Sequence, residues 1–236
     1  MKVSKSAIAV TLAALSLGVN AATLVVPGTS DPWLAGMPDG TTASLLDGAP
    51  AQSPVLFSDF ALTAGSWLNF AVTVDPAGGL VGNCAGCTVP TPDGFSFNAH
   101  GAGAENGISD VNAPTNSLVG IFLSDAQPNL TAAPSALDFA SLGTSFTTLS
   151  PGLKQVFFVG DGLAGSTLQK FLVPTDATRL YLGTMDGYEW KNNVGAYDVS
   201  VAAVTAVPEP ETYAMMLSGL GLLGVTLRRR GRKSAT

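Results

Sequence analysis

Alternation of apolar and polar residues dominates the middle of the chain. Every second residue of the segments 68–74 and 197–201 is large and apolar, and helical periodicity is scarce. This period of two is typical of strands that bury one face. Short runs rich in Val, Leu and Phe, bounded by turn-forming residues, occur at 55–62, 118–123, 155–160, 168–173 and 179–184. The pattern predicts an all-β fold, an antiparallel β-sandwich of two sheets.

The N-terminus has a different apolar pattern. Lys2 and Lys5 precede an apolar run that ends near Val19, and small residues follow as far as Ala22. The run is short for a membrane span of about 20 residues. We therefore expect a signal helix over residues 1–21, cleaved after Ala21 or Ala22, rather than a retained anchor.

The C-terminus combines three features in a fixed order. Pro208, Glu209 and Pro210 come first, residues 213–227 are apolar, and the end is rich in arginine. The apolar stretch predicts a short transmembrane helix, and the basic end should remain in the cytoplasm. The basic residues concerned are Arg228, Arg229, Arg230, Arg232 and Lys233.

This order closely resembles the PEP-CTERM sorting signal of Gram-negative bacteria. The resemblance implies an exosortase substrate that is anchored in the inner membrane until it is processed near the PEP motif. The body would then reach the cell surface or the extracellular matrix, and such proteins often accompany exopolysaccharide. A sorting signal is an address and does not say what the body binds.

The body is strongly acidic. Residues 22–206 contain four basic residues against fifteen acidic ones, a net charge of −11. Nucleic acid is therefore excluded as a partner, because binding it requires neutralisation of phosphates. Hard cations such as calcium suit an acidic, oxygen-rich surface better.

One long segment, residues 75–116, shows neither the strand period of two nor a helical period. It holds the only histidine and both cysteines of the sequence. A loop of this length in a compact domain is usually functional or disordered. Cys84 and Cys87 predict a local disulfide in an exported protein. A thioredoxin-like pair would need a βαβ context, and a zinc site would need more ligands.

The segment 182–199 is the best candidate for a binding site. Asp186, Asn192 and Asn193 offer one carboxylate and two amide carbonyls between two predicted strands, and Trp190 adds a backbone carbonyl. Calcium takes about 6–8 such oxygens. A hairpin whose Asp and Asn only satisfy turn hydrogen bonds is the alternative, and spacing alone favours it.

The same segment resembles the calcium-dependent galactophilic lectins of bacteria, a β-sandwich family with a galactose-binding-like, jelly-roll type of fold. The loose resemblance covers about residues 52–204, although the spacing from Asp to Asn is one residue shorter than in the family. It implies Asp186, Asn192, Asn193 and the Trp190 carbonyl as calcium ligands. It also implies that Asp186 and Asn192 touch a galactose-like sugar.

Three more residues are candidate sugar contacts. His100 and Asn106 map loosely onto the family's sugar-contacting loop, and the alternative for His100 is a solvated loop histidine. Tyr188 and Trp190 flank the acidic residue, where an aromatic ring either packs on a sugar or anchors the loop. No hydrolase elbow or paired carboxylates from separate elements accompany them, so we expect no enzyme.

We therefore expect four segments: the signal peptide at 1–21, an irregular segment at 22–51, a lectin-like β-sandwich at 52–206 and the sorting tail at 207–236. The first functional hypothesis is a surface or matrix protein that binds a sugar or exopolysaccharide through a bridging calcium. The second is a non-catalytic structural matrix protein whose calcium, if any, only holds a loop.

Overall fold

The computed structural model describes residues 21–44, 46–83, 86–204, 216–221 and 223. The predicted signal peptide up to residue 20, Cys84, the PEP motif and the arginine-rich end lie outside the described residues. The chain divides into two units, a body that ends at Val204 and a C-terminal unit that begins at Thr205. In the second unit residues 216–221 and 223 are helical.

The described part of the body is almost entirely β-structure. Its one short α-helix is α1, Phe139–Leu142, and 3-10 turns occupy Pro32–Leu34, Pro128–Leu130 and Trp190–Asn192. The strands in chain order are β1 Ala21–Pro27, β2 Thr42–Ala43, β3 Asp47–Gly48, β4 Val55–Phe57, β5 Trp67–Val74, β6 Phe97–Ala99, β7 Val111–Pro114, β8 Leu118–Leu123, β9 Leu137–Asp138, β10 Thr148–Leu149, β11 Val156–Phe158, β12 Leu163–Ala164, β13 Thr167–Leu168, β14 Lys170–Leu172, β15 Arg179–Thr184 and β16 Ala196–Val204.

Two main sheets form the body. The first has the order β1-β16-β5-β14-β10 and the second has the order β11-β8-β15-β4. Most neighbours are antiparallel, while β10 and β14 run parallel. Small additional sheets are β12-β13, β2-β3 and β6-β7-β9.

The core lies between the two main sheets. Phe157 of β11 packs against Phe171 of β14, with 5.6 Å between the ring centroids, so the sheets face each other. Phe70 of β5 meets the same Phe171 edge-on. The alternation predicted for 68–74 and 197–201 is confirmed, since Leu68, Phe70 and Val72 are buried on β5, as are Tyr197, Val199 and Val201 on β16. Each of the other predicted strand segments contains a strand, although most of these strands are shorter than predicted.

The N-terminal segment belongs to the sandwich and is not an irregular leader to it. β1 pairs with β16 from Ala21 opposite Ala202 to Pro27 opposite Ala196. The residues after β1 cross the second sheet. The Cα atom of Gly36 lies too close to Leu123 for a side chain, and that of Gly183 lies too close to Ser30. This covering explains why all residues of β8 are buried, although a strand with one solvated face would alternate.

The long segment 75–116 is also ordered into the body. It contributes β6 and β7, and Val81, Val89 and Ile108 are buried. Its packing depends on backbone pairing that no hydrophobic period reveals, such as Gly82 with Val194. No helix within the described residues is long and apolar enough to cross a membrane.

Candidate functional site

The loop between β15 and β16, residues 185–195, is built around Trp190. This side chain is fully buried and its indole Nε1 donates a hydrogen bond to the Thr184 carbonyl at 2.7 Å. Asp47 accepts the backbone N–H groups of Trp190 and Lys191, each at 2.8 Å, and so caps the 3-10 turn from another loop. Of the two roles considered for Trp190, the structure shows the loop anchor.

Asp186 and Asn193 meet in the floor of this loop. Both are buried, at 5% and 6% exposure. Asn193 donates from Nδ2 to the Gly28 carbonyl at 3.0 Å, and its side chain also hydrogen-bonds to Asp186. Within the described part of the chain, the Oδ1 atom of Asn193 has no hydrogen-bond partner. A buried acceptor without a partner is costly, so it marks a position that suits a positive or hydrogen-bonding group.

Burial raises the pKa of Asp186 to about 6. Hydrogen bonds from the Gly187 and Tyr188 N–H groups and from Asn193 act against burial and lower the pKa. Asp47 raises it slightly by charge repulsion.

A hollow of about 450 Å³ opens beside Asp186. Asn192 and Tyr188 lie on its rim, and both are exposed, Tyr188 by 41%. We call this cavity the hollow; it is lined by Asn83, Asn98, Ala99, Gly101, Asp186, Gly187, Tyr188 and Asn192. It thus brings together three of the predicted sugar-contacting residues.

Two loops that the sequence analysis left unassigned form the other walls of the hollow. Asn83 comes from the cysteine-containing segment and Asn98 from β6. Gly101 donates to the Gly187 carbonyl at 2.8 Å, which fixes the β6 loop against the site loop. No residue spacing relates Asn83 or Asn98 to Asp186, so the sequence carried no signal for them.

The polar lining around Asp186 consists mainly of amides and backbone groups. No group of three or more His, Cys, Asp or Glu side chains within the described residues is arranged to hold a metal ion. A metal at this loop would therefore depend on amide and backbone oxygens, and these hard ligands suit calcium.

His100 does not line the hollow, and the expectation of a solvated loop histidine is wrong. The residue is 3% exposed and stacks on Trp33, with 3.7 Å between ring centroids, while Trp190 meets it edge-on. Its Nε2 lies 2.8 Å from Glu105 Oε2. Burial lowers the pKa of His100, although the Glu105 carboxylate acts to raise it.

Asn106 also lies apart from the hollow. Its Nδ2 donates to the carbonyls of Trp33 and Thr42 at 3.0 and 3.2 Å, so the amide is used to hold two loops together. The sequence mapping of His100 and Asn106 to a sugar-contacting loop therefore fails on geometry. Neither side chain faces the cavity that contains Asp186 and Asn192.

The cysteine-containing segment also contacts the site loop. Cys87 is disulfide-bonded, and Cys84, its predicted partner, lies outside the described residues. Gly82 pairs with Val194 through hydrogen bonds of 2.9 and 3.1 Å. The cysteine-containing segment is thus joined directly to the residue after Asn193.

Comparison with known proteins identifies the tail. Residues 206–230 match the model of the PEP-CTERM protein-sorting motif. No curated protein and no solved structure matches the chain. The motif supports export and sorting by an exosortase, with a membrane-anchored signal before the body reaches the cell surface.

Proposed function

We propose that the body is a non-catalytic, lectin-like carbohydrate-binding domain that uses a bridging calcium ion. One observation carries the proposal. The buried Asn193 side chain hydrogen-bonds to Asp186, which lines a hollow of about 450 Å³, and the Oδ1 of Asn193 has no hydrogen-bond partner among the described residues. That volume falls in the range of small-molecule sites, about 300–1,000 Å³.

Four oxygen donors of one loop would hold the ion: the side chains of Asp186, Asn192 and Asn193 and the carbonyl of Trp190. Calcium takes about 6–8 oxygens. A set of four protein donors leaves coordination positions for other ligands, and the ion supplies direct contacts to sugar hydroxyls there. Because Asp186 and Asn192 also line the hollow, they can contact the same sugar.

The position of Tyr188 supports a site that binds a sugar in addition to a calcium ion. Its ring is 41% exposed on the rim and is backed by Gly101, whose Cα leaves no space for a side chain beside the ring. An exposed aromatic face beside polar groups can pack on the apolar face of a pyranose. A galactose-like sugar or an exopolysaccharide residue is the expected partner.

The test measures metal and sugar separately. Calcium should raise the melting temperature, chelation should reverse the rise, and a glycan array should show binding only with calcium. Asp186→Asn should lower the calcium affinity at least about tenfold, since it removes the one charged ligand. Asp59→Asn, an equal charge change at an exposed site, is the matched control.

Unchanged calcium response in Asp186→Asn would contradict the metal site. A calcium response without any glycan binding would favour the second hypothesis, a structural matrix protein. A specific contact makes that hypothesis worth testing. Asn193 and Thr184 both donate to the Gly28 carbonyl, at 3.0 and 2.7 Å, so an ion there would also reinforce the junction between β1 and the loop.

A further inference from the structure

We infer that Asn83 and Asn98 are specificity-determining residues of the hollow, and that they bind the hydroxyl groups of a neutral sugar. This inference rests on the proposed function and extends it to two residues outside the site loop. Both line the hollow opposite the Asp186 loop. Among the described residues, no hydrogen bond occupies the side chain of either asparagine.

Each asparagine is held against a residue that adjoins a proposed calcium ligand. Gly82, next to Asn83, exchanges two backbone hydrogen bonds with Val194, next to Asn193. A Cβ on Gly82 would lie 2.8 Å from the Cys87 carbonyl oxygen, so the cysteine-containing segment is packed tightly at that point. Asn83 is therefore presented to the hollow beside a glycine that is fixed to the proposed metal-binding loop.

Asn98 is placed in the same way on the other side. A Cβ on Gly187 would lie 2.3 Å from Asn98 Nδ2, so the amide lies directly over the residue that follows Asp186. The hydrogen bond from Gly101 to the Gly187 carbonyl holds the β6 loop in this position. Glycine at position 187 is thus required for the amide to approach the hollow.

The chemistry of the lining selects the class of ligand. A carboxamide offers donors and an acceptor side by side, which complements hydroxyl groups that both donate and accept. Among the described residues that line the hollow, Asp186 is the one acidic residue and none is Lys, Arg or His. The proposed calcium ion would be the one cation facing an anionic sugar, and the Asp186 carboxylate would repel it, so a neutral hexose fits better than a uronate or a sugar phosphate.

The experiment uses the full chain and measures two affinities by calorimetry, first that for calcium and then that for the sugar at saturating calcium. The sugar probes are methyl galactoside, methyl glucoside, galacturonate and galactose 6-phosphate. Asn83→Ala and Asn98→Ala should each weaken binding of the neutral probe about fivefold, the value of one neutral hydrogen bond. Calcium affinity should stay within about twofold of the wild type. Asn129→Ala, at an exposed asparagine of another loop, is the control.

The cysteine-containing segment is tested through the double variant Cys84→Ser, Cys87→Ser. It should lose sugar affinity to the same extent as Asn83→Ala, and its melting curve shows whether the body still folds. Full sugar affinity in the Asn83→Ala, Asn98→Ala double variant would overturn the inference and leave the proposed function intact. Preference for the charged probes would also overturn it. A wild type that binds calcium but none of the probes would overturn the proposed sugar function itself.

Discussion

Individual buried ionisable residues lie behind the hollow and tie its supporting loops together. Asp31 is fully buried and accepts the Trp33 N–H at 2.8 Å, and Ser44 Oγ lies 3.4 Å from its other oxygen. The Ser44 N–H donates to Glu105, which also contacts His100. The cluster holds Trp33 and His100 in place beneath Trp190, so it supports the site without reaching the ligand.

Asp31 makes the stability of the body depend on pH. Burial raises its pKa to about 8, helped by the charges of Asp47 and Glu105, although the Trp33 N–H acts to lower it. Between pH 4 and 8 the folded protein therefore keeps a proton that the unfolded chain has released. The free energy of unfolding falls as pH rises through this window.

Asp31→Asn should remove this loss, because an amide cannot ionise and still accepts the Trp33 N–H. We expect the variant to gain stability over the wild type between pH 5 and pH 8, by more than about 1 kcal/mol. Urea unfolding at both pH values measures the difference. Parallel pH dependence of the two proteins would show that Asp31 is ionised in the folded state.

Sequence patterns predict the placement of some single residues and not of others. Asp186 and Asn193 were found because their residue types and spacing are chemically suggestive, and the structure brings them together. The burial of His100 was not predicted, because a single histidine in a glycine-rich segment is typical of a solvated loop. Its burial depends on Trp33 and Glu105, and Trp33 is distant in sequence.

Among the elements, the central strands were predictable and the edges were not. The alternation in β5 and β16 encodes one buried face directly. β1 carries the burial pattern of an edge strand, with only Val26 buried, and its sequence adjoins the apolar run near the N-terminus. Pairing with β16 is a long-range event that local periodicity does not contain.

The junction between β1 and the site loop can be tested at Gly28. A Cβ at this position would lie 2.3 Å from the Val194 carbonyl oxygen, a backbone atom that cannot move aside easily. Gly28→Ala should therefore cost about 1–3 kcal/mol of stability. It should also reduce the rise in melting temperature on calcium addition, because the Gly28 carbonyl positions Asn193.

Thermal unfolding with calcium and with chelator measures both effects. Gly48→Ala is the control, since its nearest atom would be at 3.7 Å. Equal stability of Gly28→Ala and Gly48→Ala would mean that the junction between β1 and the site loop can widen without loss of stability.

At the scale of the whole molecule, the body and the tail are separate units. A chain that lacks residues 207–236 should therefore keep the melting temperature and calcium response of the full-length chain.

In cells, replacing Arg228, Arg229 and Arg230 by alanine should keep the body associated with the membrane fraction, if the tail is processed by an exosortase. Fractionation and mass determination of the released body measure this. Normal release of the variant would contradict a role for the arginines in sorting.

The antiparallel pairing of β1 with β16 gives the body two distinct poles. Ala21 lies opposite Ala202, so the start of β1 and the end of β16 at Val204 share one pole. The loop before Ala196 lies at the other, nine strand residues away, roughly 30 Å at about 3.3 Å per residue. Processing of the chain at the start of β1 or after β16 would therefore leave the pole that carries the hollow chemically unaltered.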